Sequence, residues 1–197
     1  MAIQDKVDAL FDAGDFERAF FIYRNELAPL GDKYAQYMVG YMYLTGMGID
    51  EDQILASAWY RLAAERRTPE FVAVRNQLLR NMGDDDIRRS DSEYLKLRVE
   101  YSDLVVLLTS VKRNLREVEG KTGTRIQGEN NAMTILDPRS GRAQSGGEYY
   151  REIRLELEDR LKLMKEIGGF EGMKTDPEEV NLRELERDVN EYIASFD

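Results

Sequence analysis

The side chains that could do chemistry in this chain are carboxylates, because cysteine and histidine are both absent from its 197 residues. Thiolate nucleophiles, imidazole bases and the usual zinc ligands are therefore excluded. The tightest acidic group is Asp84-Asp85-Asp86, but adjacent side chains on a helix point in different directions and do not converge on one metal ion or substrate. The first turn of a helix explains these acids better, since carboxylates stabilise its positive end.

One tripeptide, Gly120-Lys121-Thr122, is similar to the end of a phosphate-binding loop. The first glycine of that motif would fall at Leu115, and the tripeptide follows a predicted helix, whereas such a loop follows a strand and opens a helix. No serine lies in a nucleophile-elbow sequence. The sequence therefore predicts no catalytic residues, no cofactor and no metal site, and we expect the protein not to be an enzyme.

The charge and the hydropathy pattern restrict the partners and the compartment. Lys and Arg number 28 against 38 Asp and Glu, which gives a net charge of -10 and a pI of about 4.8. Such an acidic chain is unsuited to general nucleic-acid binding, because phosphate contacts need a basic face. No apolar run is long enough to span a membrane and no signal peptide follows Met1. We expect a cytoplasmic protein, or a periplasmic one if a signal peptide preceded Met1.

Residues 33 to 64 carry the most informative pattern in the chain. Small and apolar residues recur at helical spacing from Lys33 to Leu44 and predict a helix. Gly46 and Gly48 then supply the positive-φ conformations of a short reversal. The second helix of the hairpin has an acid at its start, and alanines and aromatic residues at helical spacing: Asp50 or Asp52, Ala56, Trp59, Tyr60, Ala63 and Ala64.

This hairpin resembles the Sel-one-like repeat, a tetratricopeptide-like family with the pattern L-G-x-x-Y-x-x-G-x-G-V-x-x-D-x-x-x-A-x-x-W-Y-x-x-A-A. The match is complete except for Val39 in place of leucine and Ile49 in place of valine, and the resemblance covers about residues 33–66. It implies a pair of packed helices whose stacked copies line a concave groove that receives peptides or protein segments. It also implies an adaptor role, such as in a bacterial signalling or envelope pathway.

A degenerate copy of the repeat is predicted at about residues 3–30. Gly14, Ala19 and Tyr23 match the turn and the second helix of the clear copy, and the step from Ala19 to Ala56 is in the range of helical-repeat periods. An ordinary helical hairpin is the alternative interpretation. The predicted helices of this copy are Ile3 to Ala13 and Phe16 to Leu27.

Two copies are too few for a stable stack, because about three repeats are needed to bury a continuous core. The helix predicted from about Thr68 to Met82 is the natural cap, and it would complete a repeat region over residues 1–83. Its inner stripe consists of Phe71, Val74, Leu78 and Met82.

The second predicted region, residues 84–197, is a helical bundle. Its first helix carries an unbroken three-and-four alternation, which predicts coiled-coil-like heptads: Leu97, Tyr101, Leu104, Leu108, Val111, Leu115 and Val118. Two later helices are predicted from Tyr150 to Ile167 and from Pro177 to Phe196. An intramolecular bundle is the first interpretation. A coiled-coil homodimer fits the same pattern, and periodicity does not separate the two.

A loop rich in Gly, Ser, Thr, Asn and Arg interrupts the predicted bundle at about residues 120–147. Its composition favours partial disorder, and a hairpin between residues 124–126 and 133–136 is the ordered alternative. A solvated basic loop is the first interpretation of its arginines, and contacts to an anion or an acidic partner are the alternative: Arg125, Arg139 and Arg142.

The candidate groove lies on the helix from Lys33 to Leu44. At about 100° per residue, one side carries the repeat pattern and the opposite side carries Tyr34, Tyr37, Met38 and Tyr41. Tyrosine suits a groove because its ring offers contact area while its hydroxyl stays hydrated. Burial of this side by the first repeat or by the bundle is the alternative. We therefore expect an all-α scaffold that binds a protein or peptide, or else a structural homo-oligomer built on the heptad helices.

Overall fold

The computed structural model describes residues 3–119, 134–137 and 141–195. Over these residues the chain is mainly helical, which confirms the predicted all-α class, and it carries one two-stranded sheet. The chain divides into two compact units, Met1–Val106 and Leu107–Asp197. The sequence instead predicts a boundary after residue 83. The difference arises because one further helix packs with the repeat.

The first unit contains six helices and the first turn of a seventh within the described residues: α1 (Ile3–Asp12), α2 (Phe16–Ile22), α3 (Lys33–Thr45), α4 (Gln53–Ala63), α5 (Pro69–Asn81), α6 (Asp84–Tyr101) and α7 (Asp103–Glu119). Helix α2 continues through a π-helical turn at Tyr23–Leu27 and a 3-10 turn at Ala28–Leu30. Both hairpins of the first unit therefore lie within one or two residues of their predicted positions.

Polar caps and glycines set the ends of the clear hairpin. The Asp32 carboxylate accepts a 2.9 Å hydrogen bond from the Ala35 N–H at the start of α3. Asp52 is the N-cap of α4, with its Oδ1 accepting from the N–H groups of Ile54 and Leu55 at 2.9 Å each. Between the helices, Gly46 has φ +67° and Gly48 has φ +74°, so both occupy the left-handed region expected from the sequence.

The core of the first unit combines large rings with very small residues. Trp59, Tyr23 and Tyr60 are almost completely buried. Helices α3 and α4 approach closely where Gly40 faces Tyr60, since a Cβ at Gly40 would lie 3.0 Å from the Tyr60 ring. Each ring needs a small neighbour, which explains the spacing of alanine and glycine in the repeat pattern.

Helix α6 packs on α4, and the chain breaks before α7. Ser102 has an extended backbone (φ -65°, ψ 154°), so the heptad residues from Leu97 to Val118 do not lie on one unbroken helix, as the sequence predicts, but on α6 and α7. The Tyr101 ring lies 5.0 Å from the Trp59 ring, and the Gln36 amide donates a 3.1 Å hydrogen bond to the Tyr101 carbonyl. The first part of the heptad pattern therefore completes the repeat core.

The second unit contains the rest of α7, the strands β1 (Thr134–Leu136) and β2 (Ala143–Ser145), and the helices α8 (Gly146–Gly168) and α9 (Leu182–Ala194). Each of these three helices buries apolar side chains: Leu108, Val111, Leu115, Ile153, Leu157, Leu161, Met164, Leu185, Val189 and Ile193. An ion pair of Lys112 with Glu186 joins α7 to α9. The Tyr149 hydroxyl of α8 donates to Glu117 of α7.

Two helix boundaries of the second unit differ from their predicted positions. Helix α8 begins four residues earlier than predicted, because Ser145 and Glu148 form a reciprocal capping box. Helix α9 begins at Leu182 instead of Pro177, because the Asn181 side chain accepts from the N–H groups of the first turn. The end predicted at Phe196 lies outside the described residues.

Within the predicted loop, β1 pairs antiparallel with β2, and Ile135 lies opposite Gln144. The Asp137 carbonyl accepts a 2.8 Å hydrogen bond from the Gly141 N–H. The strand over residues 134–136 thus pairs with residues that follow it. The alternative partner, residues 124–126, lies outside the described residues, as does the Gly120-Lys121-Thr122 tripeptide.

Candidate functional site

The candidate groove residues divide into an accessible face and one buried member. Tyr34 is 46 % exposed, and Tyr37 and Tyr41 are half-buried. Met38 is only 7 % exposed and belongs to the core of the first unit, so its assignment to the groove is corrected. Met38 lies at the margin of the helical face, beside the buried Met42 one turn later, and packs inward with it. We call Tyr34, Tyr37 and Tyr41 the tyrosine face.

Rings from three other helices hold the tyrosine face in place. The Tyr37 ring stacks on Phe71 of α5 with 5.0 Å between centroids and an interplanar angle of 22°. It also lies 5.2 Å from Tyr60 of α4. On the other side, the Tyr41 ring is 6.4 Å from Phe11 of α1. The tyrosine face therefore occupies the middle of a surface between α1 and α5.

The first turn of the tyrosine face lies beside carboxylates of α1. The Tyr23 hydroxyl donates a 2.8 Å hydrogen bond to Asp8, and the Tyr23 ring is 6.3 Å from the Tyr34 ring. Burial raises the pKa of Tyr34, and the negative charges of Asp8 and Asp12 raise it further. Asp5, Asp8 and Asp12 are spaced by three and four residues, so they form one row along α1. We call them the acidic row.

The phenol at the floor of the site is neutral at ordinary pH. Tyr60 is buried, and burial is the main reason that its pKa is raised, with Tyr37 and Tyr41 adding to the shift. Tyr60 is only 1 % exposed, so its ring supports Tyr37 from below and does not itself meet a ligand. The stacking surface and hydroxyl groups of the site therefore come from the tyrosine face.

A second group of charges, which the sequence does not reveal, lies between α3, α4 and α7. The Lys33 ammonium contacts Glu65 at 2.9 Å and Asp103 at 3.3 Å, and it donates to the Gln36 side chain at 3.0 Å. Arg66 binds both oxygens of Asp103, at 2.8 and 2.9 Å. Each carboxylate in this buried network faces a cation, so the network is structural and leaves no open position for a substrate.

The electrostatics of Asp103 follow from these contacts. Burial by itself would raise the pKa of this carboxyl group. The hydrogen bonds from Arg66 and the charge of Lys33 overcome burial and hold the Asp103 pKa below its usual range. Asp103 is therefore ionised at neutral pH, as a partner of two cations must be.

Of the three candidate arginines, only Arg142 belongs to the described residues, and Arg125 and Arg139 lie outside them. Arg142 is exposed and precedes β2. It lies close enough to Glu148 to help lower the pKa of that carboxyl group, although the hydrogen bonds from Ser145 contribute more. Arg142 is thus placed near the start of α8, and the described residues do not bring the three arginines together.

A search of the described residues finds no group of three potential metal ligands among Asp and Glu side chains. Nor does any helix in that part of the chain have the length and apolar character needed to cross a bilayer.

The helical hairpins of the first unit are consistent with an all-α fold of the tetratricopeptide-like class. A comparison with protein families gives a more specific result: residues 33–67 match the family model of the Sel1 repeat. The chain thus contains a Sel-one-like repeat at the predicted position. Such repeats generally mediate protein–protein interaction and are typically not catalytic. Neither the curated proteins nor the solved structures contain a match to the chain.

Proposed function

We propose that the first unit is an adaptor that binds a segment of another protein across the tyrosine face. The observation that carries this proposal is the exposure of Tyr34 and the partial exposure of Tyr37 and Tyr41 on the clear repeat. Tyrosines in protein interfaces supply a large contact area at low entropic cost. Internal burial, the alternative interpretation of this face, holds for Met38, whereas the three tyrosines keep part of their surface exposed.

The charges beside the tyrosine face favour a segment that contains lysine or arginine. Asp8 and Asp12 lie close enough to Tyr34 to raise its pKa, and Asp5 continues the same row along α1. A cation over a tyrosine ring gains cation–π attraction, and a neighbouring carboxylate adds an ion pair. An acidic segment or a nucleic acid would be repelled at the same place.

The experiment that tests this function is affinity capture from a native lysate, with mass spectrometry of the bound proteins. The wild type is compared with Tyr34→Ala and with a control, Leu155→Ala, which removes an exposed apolar side chain of α8. A partner that the wild type and the control retain, and that Tyr34→Ala loses by at least about tenfold, supports the proposal. Equal capture by Tyr34→Ala contradicts it.

The charge of the partner is tested on the captured protein. Asp5→Asn/Asp12→Asn should weaken binding by several-fold and should reduce its dependence on salt, because two carboxylates near the tyrosine face are neutralised. A variant that binds as tightly as the wild type at every salt concentration would leave the interaction function intact but remove the preference for a basic segment.

The second candidate function is structural self-association through the helices of the second unit. Leu155, Leu163 and Ile167 are exposed on α8, and apolar side chains of this size favour a further contact. A cytoplasmic location fits either function. Loss of a dimer on Leu155→Glu substitution would favour this candidate.

A further inference from the structure

The first helical pair has a cleft of about 430 Å³ with an apolar centre and a charged rim. Leu10 of α1 lines it together with Phe21 and Ile22 of α2. Phe21 is 58 % exposed, and Ile3, one turn before the cleft on α1, is also exposed. On the same helix Ala19 and Phe20 are buried, so Phe21 is a large ring left on the face of α2 that the first unit does not cover.

The opposite side of the same helical pair shows what such a surface does in a repeat. There the Phe20 ring packs edge-to-face on Tyr43 of α3 at 5.3 Å, and Phe11 lies 6.4 Å from Tyr41. Helical repeats bury their apolar faces by stacking on neighbours, and terminal repeats carry a polar outer face when they are caps. With Phe21 and Leu10 on its surface, the edge that carries the cleft is similar to the apolar face by which an internal repeat packs on its neighbour.

The charges around the cleft select among the possible occupants. Lys6 and Arg18 are basic and Glu17 and Glu26 are acidic, so two charges of each sign surround the apolar centre. Arg18 also contacts Asp15 at 3.0 Å, with most of its side chain exposed. A partner with charges of one sign would meet repulsion from half of this rim. A second copy of the same edge, turned by a two-fold axis, can place each cation against a carboxylate.

We propose that this edge binds a second copy of the chain in an isologous, two-fold contact, with Phe21 of each copy packed against the cleft of the other. The contact is distinct from the tyrosine face and from the exposed leucines of α8. It extends the repeat stack through the dimer axis and leaves the tyrosine face of each copy for a protein segment.

Sedimentation equilibrium over about 1–100 µM protein tests the contact directly. We expect the wild type to dimerise and Phe21→Glu to weaken the dimer by at least about tenfold, because a charge replaces a buried ring. The matched control is Leu155→Glu, since Leu155 is 56 % exposed in the other unit. It should dimerise as the wild type does. A monomeric wild type at about 100 µM, or a Phe21→Glu variant that still dimerises, overturns the proposal.

A charge exchange tests the two-fold geometry independently of the ring. Lys6→Glu/Arg18→Glu makes the rim wholly acidic, and Glu17→Lys/Glu26→Lys makes it wholly basic. Each variant alone should lose self-association by at least about tenfold, whereas a one-to-one mixture should form a heterodimer within about tenfold of the wild-type affinity. A mixture that stays monomeric while the wild type dimerises would overturn the isologous contact.

Discussion

The first unit buries several aromatic rings beside very small residues, whereas the second unit buries mainly aliphatic side chains of similar size, with Tyr149 as the one buried ring among its described residues. Trp59, Tyr23 and Tyr60 are the largest fully buried side chains of the first unit, and Gly40 lies against Tyr60. In the second unit, Leu157 and Leu161 are typical of the buried set. A ring fits only where its neighbour is small, so the first core needs a particular residue at each position. The second core needs only apolar residues at the right period.

The two units also differ in their buried charges. In the first unit, Lys33 and Asp103 are buried together and contact each other at 3.3 Å. Many of the ion pairs of the second unit lie at its surface, such as Lys162 with Glu158 at 2.7 Å. Buried charges tolerate the loss of a partner poorly, and exposed charges tolerate it well. The first unit should therefore respond to single substitutions more sharply than the second.

The largest expected effect comes from breaking the buried network. Asp103→Asn should lower the free energy of unfolding by about 3–5 kcal/mol, because Lys33 loses an anionic partner in a buried site. Asp159→Asn, at an exposed carboxylate 3.9 Å from Lys162, should cost less than about 1 kcal/mol. Urea denaturation followed by circular dichroism measures both variants, and the fluorescence of Trp59, the single tryptophan, identifies the unfolding of the first unit. Equal losses for the two variants would remove this difference between the units.

The next effect concerns the turn of the repeat. A Cβ at Gly48 would overlap the Phe16 carbonyl and would lie 2.7 Å from the Glu17 backbone nitrogen, whereas at Gly46 nothing comes closer than 3.7 Å. Both glycines have positive φ. We expect Gly46→Ala to cost about 1 kcal/mol from backbone conformation alone, and Gly48→Ala to cost about 2–4 kcal/mol because a steric overlap is added. The same urea titration measures both. Equal losses would mean that backbone conformation dominates.

A smaller effect should separate the two kinds of core. Gly40→Ala places a Cβ 3.0 Å from the Tyr60 ring and 3.2 Å from the Ala56 carbonyl oxygen, and it should cost about 1–2 kcal/mol. Leu157→Met in the second unit conserves volume and should cost less than about 1.5 kcal/mol. Thermal unfolding by circular dichroism gives both values. A larger loss for Leu157→Met would show that the aliphatic core is the less tolerant one.

The smallest effect is the pH dependence of the network. The folded-state pKa of Asp103 is lowered from 3.8, so its contribution is fully present above that value and is lost as pH falls through the lower, folded pKa. The stability difference between the wild type and Asp103→Asn should thus stay constant from about pH 7 to 5, and should shrink only below about pH 4. A difference that already shrinks near pH 6 would contradict this assignment.

Sequence reasoning was accurate where a residue type was dictated by local geometry. The left-handed turn glycines follow from a backbone requirement that glycine meets. Of the two candidate caps, Asp50 and Asp52, the structure selects Asp52. The acids Asp84, Asp85 and Asp86 lie in the first turn of α6, where the helix dipole favours them. Three of the four candidate groove residues remain accessible, since the helical period places them on one face. Met38 was wrongly assigned to this face, because helical spacing does not show how much of the edge of the face a neighbouring helix covers.

The sequence by itself determined the all-α class, the repeat at residues 33–67 and the positions of its two helices, because turns, caps and ring-to-small-residue contacts require particular residues at fixed spacings. Only the tertiary structure decided the break at Ser102, the packing of α6 on α4 and the pairing of Lys33 with Asp103. Apolar residues spaced by three and four show that one face of a helix is apolar, but they do not show which other helix packs on that face. The packing partner is determined by contacts between residues far apart in sequence.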